Sequence, residues 1–349
     1  MTDTEHLLHT LRSQGRFCGG SGSLMYEELF ELVAKDVEAK GVFATILSGH
    51  EDDPSRDAIP LRLLAGLHRL VLDSQAPALR RWYPSTGGTW DAGAAWPEIV
   101  LAATRHTDSL RAALGQPPQT NEVGRSAALI GGLLRINRRF GLPVRLFEIG
   151  PSGGLNLRAD HYHYRYAGGQ WGNEDSPVRI DDAWQGALPP PGTLQIVERH
   201  GYDIAPIDVT STGGEMTALS YLRPDQSARL DRLRGAIAVA RKVPAQLHRQ
   251  RAGDAVGRLT LADGTLTVLW HSIMWQYLPD GEQAVIRDGI DALGAQASVG
   301  SPFAHLTLEP AREEPGTALK FLVQARVWPG GSPEVLAECH AHGAPVRWN

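Results

Sequence analysis

The chain has 349 residues, 34 Lys and Arg against 39 Asp and Glu, and a formal charge of -5. At 42% hydrophobic it can bury a sizeable core, while its charge balance offers no basic face for phosphates and so excludes non-specific nucleic-acid binding as the expected role. Cys18 and Cys339 stand at opposite ends of the chain, which is neither a disulfide framework nor a metal-knuckle spacing.

No stretch approaches the roughly 20 apolar residues that cross a bilayer, and the polar start, Met1 to His6, lacks the basic and apolar regions of a secretory signal. The expected location is therefore the cytoplasm, with no membrane partner.

In chain order, Leu24 to Lys40 carries Met25, Leu29, Phe30, Val33 and Val37 at helical spacing, with Gly41 where a C-cap belongs. A second helix is predicted at Leu61 to Leu72 behind Pro60, and a third over Pro97 to Leu114. A fourth begins near Thr120 and ends at Gly141 and Pro143. Loops are expected at Cys18 to Ser23 and Tyr83 to Gly93. Residues 1–141 thus read as a helical region.

At Val144 the period changes. Val144 to Ile149 is a short apolar run ending in Gly150-Pro151-Ser152-Gly153-Gly154, and Leu155 to Asp160 reads as the start of a helix. Strand, glycine turn and helix in this order open a doubly wound α/β unit. Further strands are predicted at Leu194 to Glu198, Thr265 to His271, Ala304 to Glu309, Leu319 to Trp328 and Val335 to His340. Helices are predicted at Met216 to Val243 and Glu282 to Leu293, so strand and helix alternate as a parallel sheet requires. Six residues join the last two strands, too few for a crossover, so these form an antiparallel hairpin. The predicted fold is α/β: residues 142–349 make a Rossmann-like, mostly parallel sheet ending in an antiparallel hairpin, with a small β insertion at about 161–192. This strand plan resembles class I S-adenosylmethionine-dependent methyltransferases.

Three readings of the glycine turn follow. Glu148-x-Gly150-x-Ser152-x-Gly154 looks like the first methyltransferase motif, acid-x-Gly-x-Gly-x-Gly, with Ser152 at the middle glycine and Gly153 added. Glu148 would repel a pyrophosphate and attract a sulfonium or ammonium group, which favours S-adenosylmethionine over a dinucleotide. On this reading Glu148, Gly150, Ser152, Gly153, Gly154 and Asn156 bind the cofactor, and Asp203, with Asp208 in reserve, holds its ribose. The same five residues also satisfy G-x-S-x-G, the nucleophile elbow of α/β-hydrolases, with Ser152 as nucleophile, Glu309 as acid and His340 or His342 as base. The third reading is a non-catalytic binding protein with a degenerate Rossmann-like core.

Around the turn, His271 and Tyr277 are candidate catalytic groups at a strand tip, with Glu122 facing them. Asn121, Arg125 and Gln276 are candidate contacts to a small-molecule substrate. The bland account of Glu122 and Arg125 is an i,i+3 ion pair beside a helix cap. His161 and His163 on one side of a strand form a surface pair without a third metal ligand, so no metal is expected.

Gln119 to Ser126 and Glu148 to Leu157 resemble the signature of a bacterial family, domain of unknown function 2332. Leu64 to His68, Trp171-Gly172, Ser176 to Val178, Arg199 to Asp208 and Arg223 to Gln226 are similar to it as well. The resemblance spans nearly the whole chain, implies one family-wide unit with the helical part as an integral cap, and brings no activity. One departure is Gly153, where alanine is expected and should matter little to the turn.

Overall fold

The computed structural model describes residues 3–54, 57–312 and 319–349, so Met1 and Thr2 of the polar start lie outside the described residues. The chain forms two compact units, Met1–Thr120 with Ser211–Asp231, and Asn121–Thr210 with Arg232–Asn349. The division differs from the expected boundary at residue 141 in two ways. It falls earlier, and a later segment returns to the helical unit.

In the first unit, α1 (Asp3–Gly20), α2 (Leu24–Glu38), α3 (Val42–Leu47), α4 (Ile59–Leu72), α5 (Ala92–Arg105) and α6 (Thr107–Leu114) bury one apolar cluster that includes Leu11, Phe30, Phe43, Leu63 and Leu110. Cys18, expected in a loop, is buried inside α1. The predicted helix from Pro97 to Leu114 is two helices: Asp91 caps α5 by accepting from the Ala94 amide, Pro97 lies inside it, and His106 separates it from α6. The returning segment is held by charge. Asp225 accepts from the Ser23 hydroxyl and the Met25 amide, at 2.7 and 3.1 Å, which satisfies donors at the start of α2.

The second unit opens with α7 (Ser126–Asn137), which was expected to begin near Thr120 and belong to the helical region. It packs instead on the main sheet, where a Cβ on Gly132 would stand 2.7 Å from Leu306 Cδ2 and one on Gly131 would stand 2.1 Å from Trp348 Cζ2. After β1 (Val144–Ile149) the predicted helix at Leu155 is a 3-10 turn, Leu155–His161, kinked at Arg158. The insertion contains β2 (His163–Tyr166), β3 (Gly169–Gly172) and β4 (Arg179–Ile180), a separate three-stranded sheet, while β5 (Trp184–Gly186) joins the main sheet beside the last strand. His163 is buried in this insertion and His161 ends the 3-10 turn, so the expected surface pair on one strand is not formed.

β6 (Ile196–Asp203) runs five residues past its predicted end, because Arg199 to Tyr202 pair with β1. The helix predicted from Met216 to Val243 is two, α8 (Thr212–Ser220) in the helical unit and α9 (Ser227–Ala240), interrupted around Pro224. There follow β7 (Gln246–Arg249), α10 (Ala252–Val256), β8 (Leu266–Ser272), α11 (Asp280–Gln296), β9 (Phe303–Ala311), β10 (Lys320–Trp328), β11 (Pro333–His340) and β12 (Gly343–Trp348).

The main sheet has nine strands in the order β5-β12-β11-β10-β9-β8-β1-β6-β7. From β7 to β9 every pairing is parallel, and β9 to β12 form an antiparallel meander of which the predicted hairpin is the middle turn. The parallel strands leave β1 through β6 to β7 and then restart on the other side of β1 with β8 and β9. The order reverses between β1 and β8, and in open α/β sheets ligands bind outside the carboxyl ends of the strands at such a switch point. Phe147, Leu269 and Phe303 face α10 and α11 in one core cluster. Glu148, Trp270 and Leu306 share the opposite face, the one α7 covers.

Gly131 therefore sits where helix and sheet are in closest contact. Gly131→Ala is expected to lower stability by about 1–3 kcal/mol through overpacking, although alanine is the better helix former by about 1 kcal/mol. Urea denaturation checks this, and a gain in midpoint would contradict the packing described.

Candidate functional site at the carboxyl edge of the sheet

The carboxyl tips of β1, β6, β8 and β9 bring together Glu148, Asp203, His271 and Glu309. The chain leaves β1 through three positive φ values, Gly150 (69°), Ser152 (52°) and Gly154 (66°), and β8 ends at Ile273 with φ 48°. A positive φ is unusual for serine and an outlier for a β-branched residue, and such strain persists only where neighbours over-determine it.

The neighbours are identifiable. The amides of Gly150, Ser152, Gly154 and Leu155 donate to Tyr202 O, Asp203 Oδ2, Pro151 O and Asn121 Oδ1. Asn156 Nδ2 donates to Glu122 O at 3.2 Å, and Arg158 donates to Gly154 O at 2.7 Å. The amides of Gly150, Ser152 and Gly154, in the turn expected to bind the cofactor, thus have acceptors within the protein, as does that of Leu155. Asp203 accepts from Ser152 N and, through Oδ1, from Ala205 N at 2.9 Å, so it anchors the turn and makes its own Asx turn. Asp208 makes an exposed Asx turn with Thr210. Gly153 has no room for the alanine expected there, since a Cβ would stand 2.2 Å from Val209 Cγ1.

Glu148 is 2% exposed, and its Oε2 is buried with no hydrogen-bond partner. Burial pushes its carboxyl up to about 8; Arg125 and Arg158 oppose that shift and Asp203 reinforces it. The Trp270 indole, registered with Glu148 across β1 and β8, favours the ionised form without its Nε1 reaching hydrogen-bond geometry. Asn156 Oδ1 is likewise buried without a partner. Glu148 is thus protonated at neutral pH. The fold alone therefore does not supply at neutral pH the negative charge expected to repel phosphate.

The segment before α7 lies over this edge. Arg125 donates to Ala341 O and Ser272 O at 3.0 and 3.1 Å, joining the β11–β12 turn to the tip of β8. Glu122, 3% exposed, accepts from Gly124 N through Oε1, and its Oε2 lies 3.4 Å from His342 Nδ1. Both residues of the anticipated i,i+3 pair therefore have partners distant in sequence.

His271 is buried, with Nδ1 2.7 Å from Glu309 Oε1 and Nε2 3.0 Å from His305 Nε2, and its ring stacks on Trp275. Glu309 Oε1 also accepts the Met274 and Trp275 amides, at 3.1 and 3.3 Å. Burial and the charges of His271 and Arg326 hold His305 well below the usual histidine range, so it is neutral. Both nitrogens of His271 are thus engaged within the protein. Gln276 and Tyr277 are exposed on a 3-10 turn, Trp275–Tyr277. The pairings that form are Glu309 with His271 and His342 with Glu122, and not Glu309 with a terminal histidine. His305 and the Glu122–His342 pairing were missed, because nothing local to these residues indicates their partners.

The fold and this edge define an α/β protein with a large, mostly parallel sheet and a buried polar cluster at its topological switch point. The chain belongs to the family described as an uncharacterized protein conserved in bacteria, domain of unknown function 2332, which matches residues 8–348. No curated protein and no solved structure matches it. Among the described residues, no helix is long and apolar enough to cross a membrane.

Glu148 carries a measurable cost. The fold raises its pKa, so the native state holds a proton that the unfolded chain loses above its ordinary value near 4.5. Stability falls as pH rises from there to about 8. Glu148→Gln is expected to raise stability by about 3–5 kcal/mol at pH 9, with the gain fading toward pH 4.5. Urea melts across this range test it; a gain independent of pH would show that the carboxyl is not the source.

Proposed function

We propose that the chain is an S-adenosylmethionine-binding, methyltransferase-like enzyme acting on a small molecule, with the ligand held at the carboxyl edge between β1 and β8. The observation that carries this reading is the buried, unpartnered Oε2 of Glu148, with the unpartnered Oδ1 of Asn156 close by in sequence and on the same turn. The Asn156 oxygen, and Glu148 once a ligand draws off its proton, suit a cationic or hydrogen-donating ligand over a phosphate. S-adenosylmethionine bears a sulfonium and an ammonium and no phosphate. Glu148 and Asn156 would face its charged end, and Asp203 would offer remaining lone pairs to hydroxyl groups. The donor amides of the turn contribute rigidity, because they already serve Asp203, Asn121 and Tyr202.

The order of the parallel strands and the acidic end of β1 support this reading over the serine hydrolase. Ser152 has the positive φ that a nucleophile elbow uses, but His271 is engaged by Glu309 and His305, and His342 lies against Glu122.

Calorimetric titration with S-adenosylmethionine and S-adenosylhomocysteine tests the proposal. Binding of the sulfonium form at pH 7 is expected to release a proton from Glu148, so the observed heat will vary with the buffer's ionisation enthalpy, and Glu148→Gln will abolish that dependence. No heat at millimolar ligand sinks the reading.

A further inference from the structure

The tip of β1, where the proposed ligand is held, is covered by the first residues after β8. A Cβ on Gly150 would stand 3.1 Å from Cβ and Cγ of Met274 and 3.2 Å from its Cε. The Met274 side chain therefore lies along the backbone at which β1 turns, two residues beyond Glu148. A side chain at position 150 would press on Met274 and would have to adopt φ 69°, so this contact requires glycine. Met274 thus occupies space that a ligand approaching the tip of β1 along β8 would need.

Met274 belongs to a short strap, residues 274–278, whose two ends are fixed and whose middle hangs on a few separable contacts. At the root, the Ile273 amide donates to Leu308 O at 2.9 Å and Ser272 O accepts from Arg125. At the far end α11 begins at Asp280. Between them one carboxylate oxygen, Glu309 Oε1, accepts the Met274 and Trp275 amides and lies 2.7 Å from His271 Nδ1, while Glu309 Oε2 is buried without a partner. Gln283 Nε2 donates to Trp275 O and Leu278 O, both at 3.2 Å, and the Trp275 ring stacks on His271 with the Arg287 guanidinium 5.5 Å from its centroid. The chain enters the strap through Ile273 at φ 48°, a conformation that a β-branched residue holds only under constraint. Loss of the Glu309 contacts lets Ile273 relax, so a strained root and a single carboxylate give the strap two arrangements, latched and open.

We propose that residues 274–278 are a gate over the tip of β1, with Met274 as the side chain that closes it and Glu309 as its latch, and that ligand enters when the strap lifts from Gly150. Glu309 is a positioning residue, acting through the Met274 and Trp275 amides. The identity of the ligand rests on the function proposed above; the latch and the cover belong to the ligand-free chain.

Hydrogen exchange and peroxide oxidation of the full chain, without ligand, test the gate. The Met274 and Trp275 amides are expected to exchange at least about tenfold faster than the Leu269 and Trp270 amides of β8, because they open with the strap and not with the sheet. In Glu309→Gln, whose neutral amide oxygen is the weaker acceptor, strap exchange and Met274 oxidation are both expected to rise about tenfold further while β8 is unchanged. Strap amides that exchange at the β8 rate, or a Met274 whose oxidation ignores the latch, overturn the proposal. If Glu309→Gln does not fold, the wild-type exchange still decides. With ligand, Met274→Ala is expected to raise the association and dissociation rates of S-adenosylmethionine together, by about tenfold, at nearly constant affinity. A change confined to dissociation would make Met274 an ordinary contact and remove the gate. Heat with S-adenosylmethionine and a strap that exchanges with β8 would leave the binding reading standing without the gate. A strap that opens under Glu309 control, with no heat at millimolar ligand, would do the reverse.

Discussion

A strand paired on both edges and covered on both faces must leave its sheet through amides that water cannot reach, and the second unit is organised around how β1 does so. Each amide needs an acceptor inside the protein. Tyr202 and Asp203 at the end of β6 and Asn121 ahead of α7 supply three of them, and Pro151 within the turn supplies the fourth. Three positive φ values within five residues aim the amides at those acceptors. The position of the Asn121–Arg125 segment, the extension of β6 to Asp203 and the close contact with the β11–β12 turn all serve this exit. Its product is a rigid edge at the switch point, where a buried carboxyl and a buried amide oxygen are left over.

Much of the fold was legible because its signals are local. Val144 to Ile149 followed by Gly150 to Gly154 is a strand and a turn on any reading, and six residues between two apolar runs require a hairpin. Some misreadings had local signals too: Pro224 stands inside the stretch taken as one long helix, and Asp91 is a better cap than Pro97 is a start. Others had none. Asn121 and Glu122 look like the cap of an apolar helix, and the Glu122 side chain does cap the 3-10 turn before α7, yet Asn121 Oδ1 accepts from the Leu155 amide and the Glu122 carbonyl from Asn156, each 34 residues on. That His271 meets His305 depends on the register of β8 with β9. Such register is set by packing across the whole sheet.

The two histidine–carboxylate pairs show why residue type alone does not assign a role. Glu309 holds His271 at 2.7 Å and also receives two backbone amides, so that pair braces the strained turn after β8. Glu122 and His342 form a longer contact, 3.4 Å, and the same carboxylate also caps the Gly124 amide. Burial of Glu148 stands apart from both pairs. A carboxyl kept neutral in the fold costs stability above its unfolded pKa, and a scaffold retains such a cost at sites that do something else.

The helical unit is discontinuous in sequence, and this has a consequence in time. Ser23 and Met25 at the start of α2 are satisfied by Asp225, some 200 residues later. At about 5–20 residues per second, a ribosome takes roughly 10–40 s to deliver that carboxylate after α2 has emerged. Until then the Ser23 hydroxyl and the Met25 amide lack this acceptor, and the first six helices lack α8. The unit made first is therefore finished late, and the nascent chain holds an incomplete helical cluster while the first half of the sheet is still being made.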